Sequence, residues 1–225
     1  MRLRSRTAAA PCSTANLGPG YDVFGLALDA LQDTVKITAG KDSGGGPGRI
    51  LMTILNSETA IPVEVENNSA GLVVKKMAQD FGIRNGLRVT VKKGIPAGYG
   101  IGSSAASAAA AAVAFKSLYN LKIDTDAMVE YAAEGEVASA GTKHYDNVSA
   151  SLLGGFVISC VAGSRRNFIR IAPPKDLVLV VAIPSSVPVP ERKTQLARSV
   201  LPKEVPLHDV VRNVASASTI VAGIA

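Results

Sequence analysis

Residues 103–119 read SSAASAAAAAVAFKSLY, a stretch dominated by alanine with no Gly and no Pro. Alanine has the highest intrinsic helix propensity, so the run predicts a helix over Ser103–Tyr119. Small side chains along it let the rest of the chain pack tightly. The residues in front of it are Gly98-Tyr99-Gly100-Ile101-Gly102, three alternating glycines that follow Pro96-Ala97. Glycine allows positive φ and lets the backbone come close to a ligand. The first turn of a helix offers unpaired N–H groups and a partial positive charge, which together attract phosphate. Ser103 and Ser104 put two hydroxyls at that same end, one suited to a phosphate oxygen and the other to a metal ion. A plain turn with a serine cap needs one glycine and one serine; here there are three and two. The spacing is neither G-x-x-x-x-G-K-[ST] nor G-x-G-x-x-G. With no lysine in the loop, the phosphate charge must be met by Mg²⁺ and the helix N-terminus.

The remaining composition narrows the classes. At 225 residues the chain can bury a real core, as one large domain or two small ones. Aromatic residues are only 4% and there is no Trp, which argues against a stacking platform for nucleic acid. The net charge of +6 suits an anionic ligand such as a nucleotide, and equally suits plain solubility. The basic residues are scattered, so no basic tail is expected. Cys12 and Cys160 are far apart and lack partners at metal spacing, which argues against a disulfide framework and a zinc site. No apolar window reaches transmembrane length and no secretory leader is legible. The expectation is a reduced, cytoplasmic protein with no nucleic-acid or membrane partner; a homodimer is left open.

Strands are expected at 3–10 (stopped by Pro11), 23–28, 34–38, 50–55, 87–91, 156–161 and 177–183. The last is a continuous apolar run, read as central in its sheet. Loop chemistry marks 16–20, 41–48 and 184–190. Apolar spacing predicts a helix over 70–81 behind Asn67-Asn68-Ser69, and Asp124 caps another running to about Ser139. Further helices are read at 143–153, 191–200 and 205–224. Strands and helices alternate without a strict βαβ period, which suggests an α+β architecture with a break near 155–165. The apolar helical pattern reaches Ala225 without a stop signal, so the second domain is expected to be cut short.

Several polar groups stand out. Glu134 and Glu136 are surface carboxylates or, for one of them, a Mg²⁺ ligand. His144-Tyr145-Asp146-Asn147 gathers four polar or aromatic groups before an apolar Leu-Leu-Gly-Gly. Asn16 and Asp22 flank Gly18-Pro19-Gly20 and are read first as turn residues. Thr194 and Arg198 are four apart on a predicted helix and share a face, where an arginine can hold a carboxylate in bidentate fashion.

Taken together these segments resemble the GHMP kinase superfamily (galacto-, homoserine, mevalonate and phosphomevalonate kinases), and most of all its homoserine kinase branch. Ala10 to Asp22, APCSTANLGPGYD, is similar to the first motif, and Pro96 to Ala106, PAGYGIGSSAA, to the second, the phosphate loop. Glu136, the HYDNV segment with Leu152 to Gly155, and Thr194-x-x-x-Arg198-x-x-Leu201-Pro202 are similar to segments of the homoserine branch. Ile101 stands where leucine is usual, and Ala150 where a proline usually stands. The third, C-terminal glycine motif and a second substrate arginine are absent.

The resemblance implies an α+β fold: a domain over 1–158 like domain 2 of ribosomal protein S5, then a ferredoxin-like domain beginning at 159–225. It implies ATP with its phosphates on Pro96, Ala97, Gly98, Tyr99, Gly100, Ile101, Gly102, Ser103, Ser104, Ala105 and Ala106. It implies Mg²⁺ on Ser104 and Glu136, and L-homoserine among Asn16, Asp22, His144, Asn147, Thr194 and Arg198. Asp22 would meet the substrate ammonium and Arg198 its carboxylate. The reaction implied is phosphorylation of the homoserine hydroxyl, with Asn147, Ser104 and Glu136 as the catalytic residues. Other small-molecule kinases of this superfamily, of shikimate or mevalonate type, and a non-catalytic nucleotide-binding module are the alternatives. Relatives of mevalonate type carry an aspartate base where this chain has Asn147. An amide accepts no proton at a useful pH, so catalysis without a dedicated general base is expected, with Asp146 as the rival base.

Overall fold

A computed structural model describes residues 4–40, 48–163, 165–183 and 193–225; for 193–195 it describes the backbone alone. One six-stranded sheet organises the chain, in the order β3-β4-β2-β5-β6, with β1 also paired to β2. The strands are β1 (Arg4–Ala15), β2 (Phe24–Ala39), β3 (Ile50–Leu55), β4 (Leu87–Lys92), β5 (Phe156–Ala162) and β6 (Arg165–Ile171). The helices are α1 (Ser69–Asp80), α2 (Ser103–Tyr119), α3 (Thr125–Ala133), α4 (Glu136–Ala140), α5 (Asp146–Leu153), α6 (Lys193–Ser199) and α7 (Leu207–Ile224). All strand pairs are antiparallel except β3 with β4.

Strand β2 is the axis. Its 16 residues merge the two strands expected at 23–28 and 34–38. Strand β1 runs along one edge, through Pro11 rather than stopping there. On the other edge β4 pairs with Thr34–Ala39 and β5 with Phe24–Leu26. Between Cys12 and Pro11 the partner on β2 jumps from Leu28 to Gln32, a bulge that bends the ribbon. After the bulge, Asp33, Val35, Ile37 and Ala39 alternate onto the buried face.

The alanine helix α2 crosses the middle of that face. Twelve of its 17 residues are buried, which is how a helix apolar on all sides is used. It packs against β1, β2, α1, α3 and α5. Phe115 and Leu118 supply the bulk that alanine lacks. Helices α1 and α3 begin where the sequence places them, with Asn68 accepting from the Gly71 N–H at 3.2 Å and Asp124 from Ala127 at 2.7 Å.

Besides the expected stop at Pro11, three sequence readings depart from the structure. The helix expected from 124 to 139 breaks at Glu134-Gly135 into α3 and α4. Residues 177–183 are not a strand; they lie irregular and exposed, with Val178 82% and Val180 92% accessible. An apolar run identifies a strand only when a neighbour is present to pair with it and cover it. The third is β6, which went unread because RRNFIRI carries three arginines; it pairs with β5 and closes an edge of the sheet. The β5–β6 hairpin falls where a break was expected, near 155–165, and β5 continues the sheet onto β2 there. The turn 41–47 and the loop 184–190 lie outside the described residues. No helix among the described residues is long and apolar enough to cross a membrane.

Alternation along β2 also places α7. Gly25 faces α5, while its neighbours Phe24 and Leu26 face the other way, with Phe156. Ala217, Ile220, Val221 and Ile224 of α7 pack on that second cluster, and Asn213 Nδ2 donates to the Pro19 carbonyl at 3.0 Å.

Candidate active site

A cavity of about 610 Å³ opens where the N-termini of α2 and α5, the 16–22 loop and α6 converge. Most residues singled out from sequence line it: Asn16, Asp22, Ala97, Gly98, Gly100, Gly102, Ser103, Ser104, Glu136, His144, Asn147 and Arg198. Ile101, Ala105 and Ala106 instead face the core, and Tyr99 packs against it from the edge. Pro96 and Tyr99 line a smaller depression on the outer side of the loop. Thr194 belongs to α6; its side chain lies outside the described residues.

The glycine loop lies between β4 and α2. Gly98, Gly100 and Gly102 have φ of 91°, 79° and 71°, a region that side chains with a Cβ rarely adopt. Gly102 is the residue before the helix, and a Cβ there would sit 2.1 Å from Ser13 Oγ. Ser13 N also donates to the Ile101 carbonyl at 3.2 Å. Two segments far apart in sequence, APCSTANLGPGYD and PAGYGIGSSAA, are therefore in direct backbone contact.

The 16–22 loop is held in an unusual backbone state. Asn16, Leu17 and Asp22 have φ of 68°, 46° and 58°, and non-glycine residues in this region are uncommon and cluster at functional sites. Asn16 Oδ1 accepts from the Asp22 N–H at 2.8 Å. Asn16 is thus a turn residue, as expected, whose bond aims the Asp22 side chain into the cavity. There Asp22 meets Arg198: one guanidinium nitrogen donates to both carboxylate oxygens, at 2.7 and 2.8 Å. The same nitrogen lies 3.1 Å from His144 Nε2. The Arg198 guanidinium also lies 5.4 Å from the Tyr21 ring centroid.

At the other end, Ser104 Oγ donates to Glu136 Oε1 at 2.8 Å. The two glutamates separate here. Glu134 pairs with Lys143 at 2.6 Å, which is the ordinary surface reading, whereas Glu136 is buried. Burial pushes the Glu136 carboxyl up to about 7; the Ser104 hydrogen bond opposes this and the nearby Asp146 charge adds to it. Among the described residues no cation pairs with Glu136, and no group of three His, Cys, Asp or Glu side chains could hold a metal.

Helix α5 supplies the centre of the cavity. It approaches β2 closely because Gly25 leaves room: a Cβ at that position would lie 2.0 Å from the Asp146 carbonyl oxygen. Asn147 Oδ1 accepts from Ser13 Oγ at 2.9 Å, and Ser13 Oγ in turn accepts from Ser151 at 3.1 Å. Asn147 is thereby oriented with its amide NH₂ as the remaining donor. Asp146 Oδ1 accepts from the Asn147 N–H at 2.7 Å, and burial raises its carboxyl above the usual range.

Sequence reasoning missed the groups beneath the loop. Asp33, Lys93 and Ser107 form a buried polar cluster under the start of α2. Lys93 reaches the cavity wall, but Asp33 neutralises it. The legible sign was Asp33 itself, an acidic residue in phase with Val35 and Ile37 on an apolar face.

The family model for the GHMP kinases N terminal domain matches residues 68–155. The homoserine kinase of Thermoplasma volcanium is 42% identical over 214 residues, covering 95% of this chain and 64% of that protein. That of Saccharolobus solfataricus is 38% identical, covering 98% of this chain and 68% of that protein. The crystal structure of homoserine kinase from Cytophaga hutchinsonii superposes with a TM-score of 0.80 at 28% identity, over 98% of this chain and 67% of that one. The fold is that of a GHMP kinase, and the chain belongs to the homoserine kinase family within that class. It spans about two-thirds of the length of these relatives.

Proposed function

We propose that the protein transfers the terminal phosphoryl group of ATP to the side-chain hydroxyl of L-homoserine, giving O-phospho-L-homoserine on the route to threonine. One observation carries this reading. A single cavity joins the glycine loop and Ser104–Glu136 to the cluster of Asp22, His144 and Arg198. The first end suits phosphates. The second presents one carboxylate and one guanidinium, the charge pattern that complements an α-amino acid: ammonium on Asp22, carboxylate on Arg198. The wall formed by Ile54, Ile61, Pro62 and Val91 suits a nucleotide base. The names of the relatives agree with both ends.

Mg²⁺ suits Ser104 and Glu136, since both offer hard oxygen donors and the buried carboxylate has only a hydroxyl for a partner. Bound there, the ion would supply charge stabilisation to the phosphates, whose remaining oxygens and water would complete its shell. The chain's own residues do the positioning. The amides at the N-terminus of α2 would hold the phosphates. Asp22 and Arg198 fix the amino acid, and the Asn147 NH₂ orients its hydroxyl. Asn147 takes no proton, so the hydroxyl proton leaves to phosphate or water. Phosphoryl transfer tolerates this because its loose transition state depends mainly on placement and charge.

The test is ADP release with ATP, Mg²⁺ and a panel of acceptors. Homoserine is expected to exceed mevalonate and shikimate in kcat/KM by at least about 100-fold. Equal turnover of the three would overturn the reading.

A further inference from the structure

We propose that Asp33 is the positioning residue of the glycine loop: with Lys93 it forms a buried clasp that holds both ends of the loop in the arrangement that receives the nucleotide phosphates. The assignment rests on the proposed kinase reading only in taking the ligand to be a nucleotide.

Asp33 is fully buried, and its carboxylate spans the loop. Oδ1 accepts from the Gly94 N–H at 2.9 Å and the Ile95 N–H at 3.1 Å, where the loop begins. Oδ2 accepts from Ser107 Oγ at 2.6 Å, inside the first turns of α2, and from Lys93 Nζ. The Lys93 ammonium donates onward to the Ser103 carbonyl at 3.1 Å and to Ser107 Oγ at 2.9 Å, where the loop ends. Ser103 Oγ closes the ring on the Ile95 carbonyl at 3.0 Å. One carboxylate, about 60 positions upstream, therefore ties together residues 93–95 and 103–107.

A segment with three glycines in five residues has large conformational freedom, and ordering it would be charged against ligand affinity. Fixing both ends beforehand removes that penalty. A buried ion pair by itself is weak evidence for a stability role, since apolar residues of equal volume often stabilise as well. Here every bond of the pair goes to the loop, its flanks or its helix. The bulge at residues 29–31 is what turns Asp33 under them.

Calorimetric binding of the Mg²⁺ complex of a non-hydrolysable ATP analogue, and separately of homoserine, tests this on two variants. Asp33→Ala removes every anchor on the carboxylate. Asp33→Asn with Lys93→Met keeps an acceptor for Gly94 and Ile95, removes the tie to Ser103, and leaves no unpaired buried charge, so it is expected to fold even where Asp33→Ala does not. The analogue is expected to bind about tenfold or more weaker to Asp33→Ala and about threefold weaker to the double variant, with homoserine within about twofold in both. In either folded variant, an unchanged analogue Kd, or equal weakening of both ligands, overturns the clasp. Failure of homoserine to bind the unaltered protein would overturn the acceptor assignment and leave the analogue measurement to decide the clasp.

Discussion

Asp22 and Arg198, 176 positions apart, close on each other across the cavity with contacts of 2.7 and 2.8 Å. Both are more than a third exposed, so the pair adds little to stability, on the order of 0–1 kcal/mol. A zwitterionic acceptor would separate them and give each a replacement partner of the same charge. Arg198→Met is therefore expected to leave the melting temperature within a few degrees, raise the homoserine KM at least about tenfold, and leave the ATP KM within about twofold. Steady-state kinetics in each substrate, with a thermal melt alongside, check this.

The Glu136 carboxyl stands at about 7, against an ordinary 4.5. Between those values the folded state binds more protons than the unfolded one, so stability is full below about pH 4.5 and falls as pH rises through 7. The loss is on the order of 3 kcal/mol. Melting curves from pH 5 to 8 in the presence of a metal chelator are expected to show that decline. Glu136→Gln is expected to flatten it while abolishing the response of the melting temperature to Mg²⁺.

Asp146→Asn separates transfer with a general base from transfer without one. Asn147 is oriented by Ser13 and cannot act as a base. If no base is required, Asp146→Asn leaves kcat within about tenfold, or about 1.4 kcal/mol. A loss of several orders of magnitude, measured by ADP release at saturating substrates, would assign the proton to Asp146.

Gly102 joins strain to close contact. Its φ is +71°, and a Cβ would meet Ser13 Oγ at 2.1 Å. Gly102→Ala is expected to cost roughly 2 kcal/mol or more and to weaken both substrates, because Ser13 also holds Asn147. Denaturant unfolding and the two KM values test it.

The helices were the most legible part of the chain. Asn68 and Asp124 cap where their residue types predict, and α2 has its expected bounds because propensity and burial agree there. The residues that line the candidate site were legible as a set, through motifs whose glycines and serines exceed what a turn requires. What failed was read from local pattern alone. The apolar 177–183 looked like a central strand and is exposed coil, and the arginine-rich β6 looked like nothing and is a sheet edge.

The sequence by itself determined the alanine helix, the glycine loop before it and the residue types that line the candidate site, because propensity, capping and glycine's freedom are local properties. Only the tertiary structure decided that Glu136 is buried while Glu134 is a surface partner of Lys143. It also decided that Asp22 faces Arg198 and that Asp33 lies beneath the loop. Those relationships depend on burial and on contacts between distant segments, and no local pattern encodes which of two identical side chains loses its water.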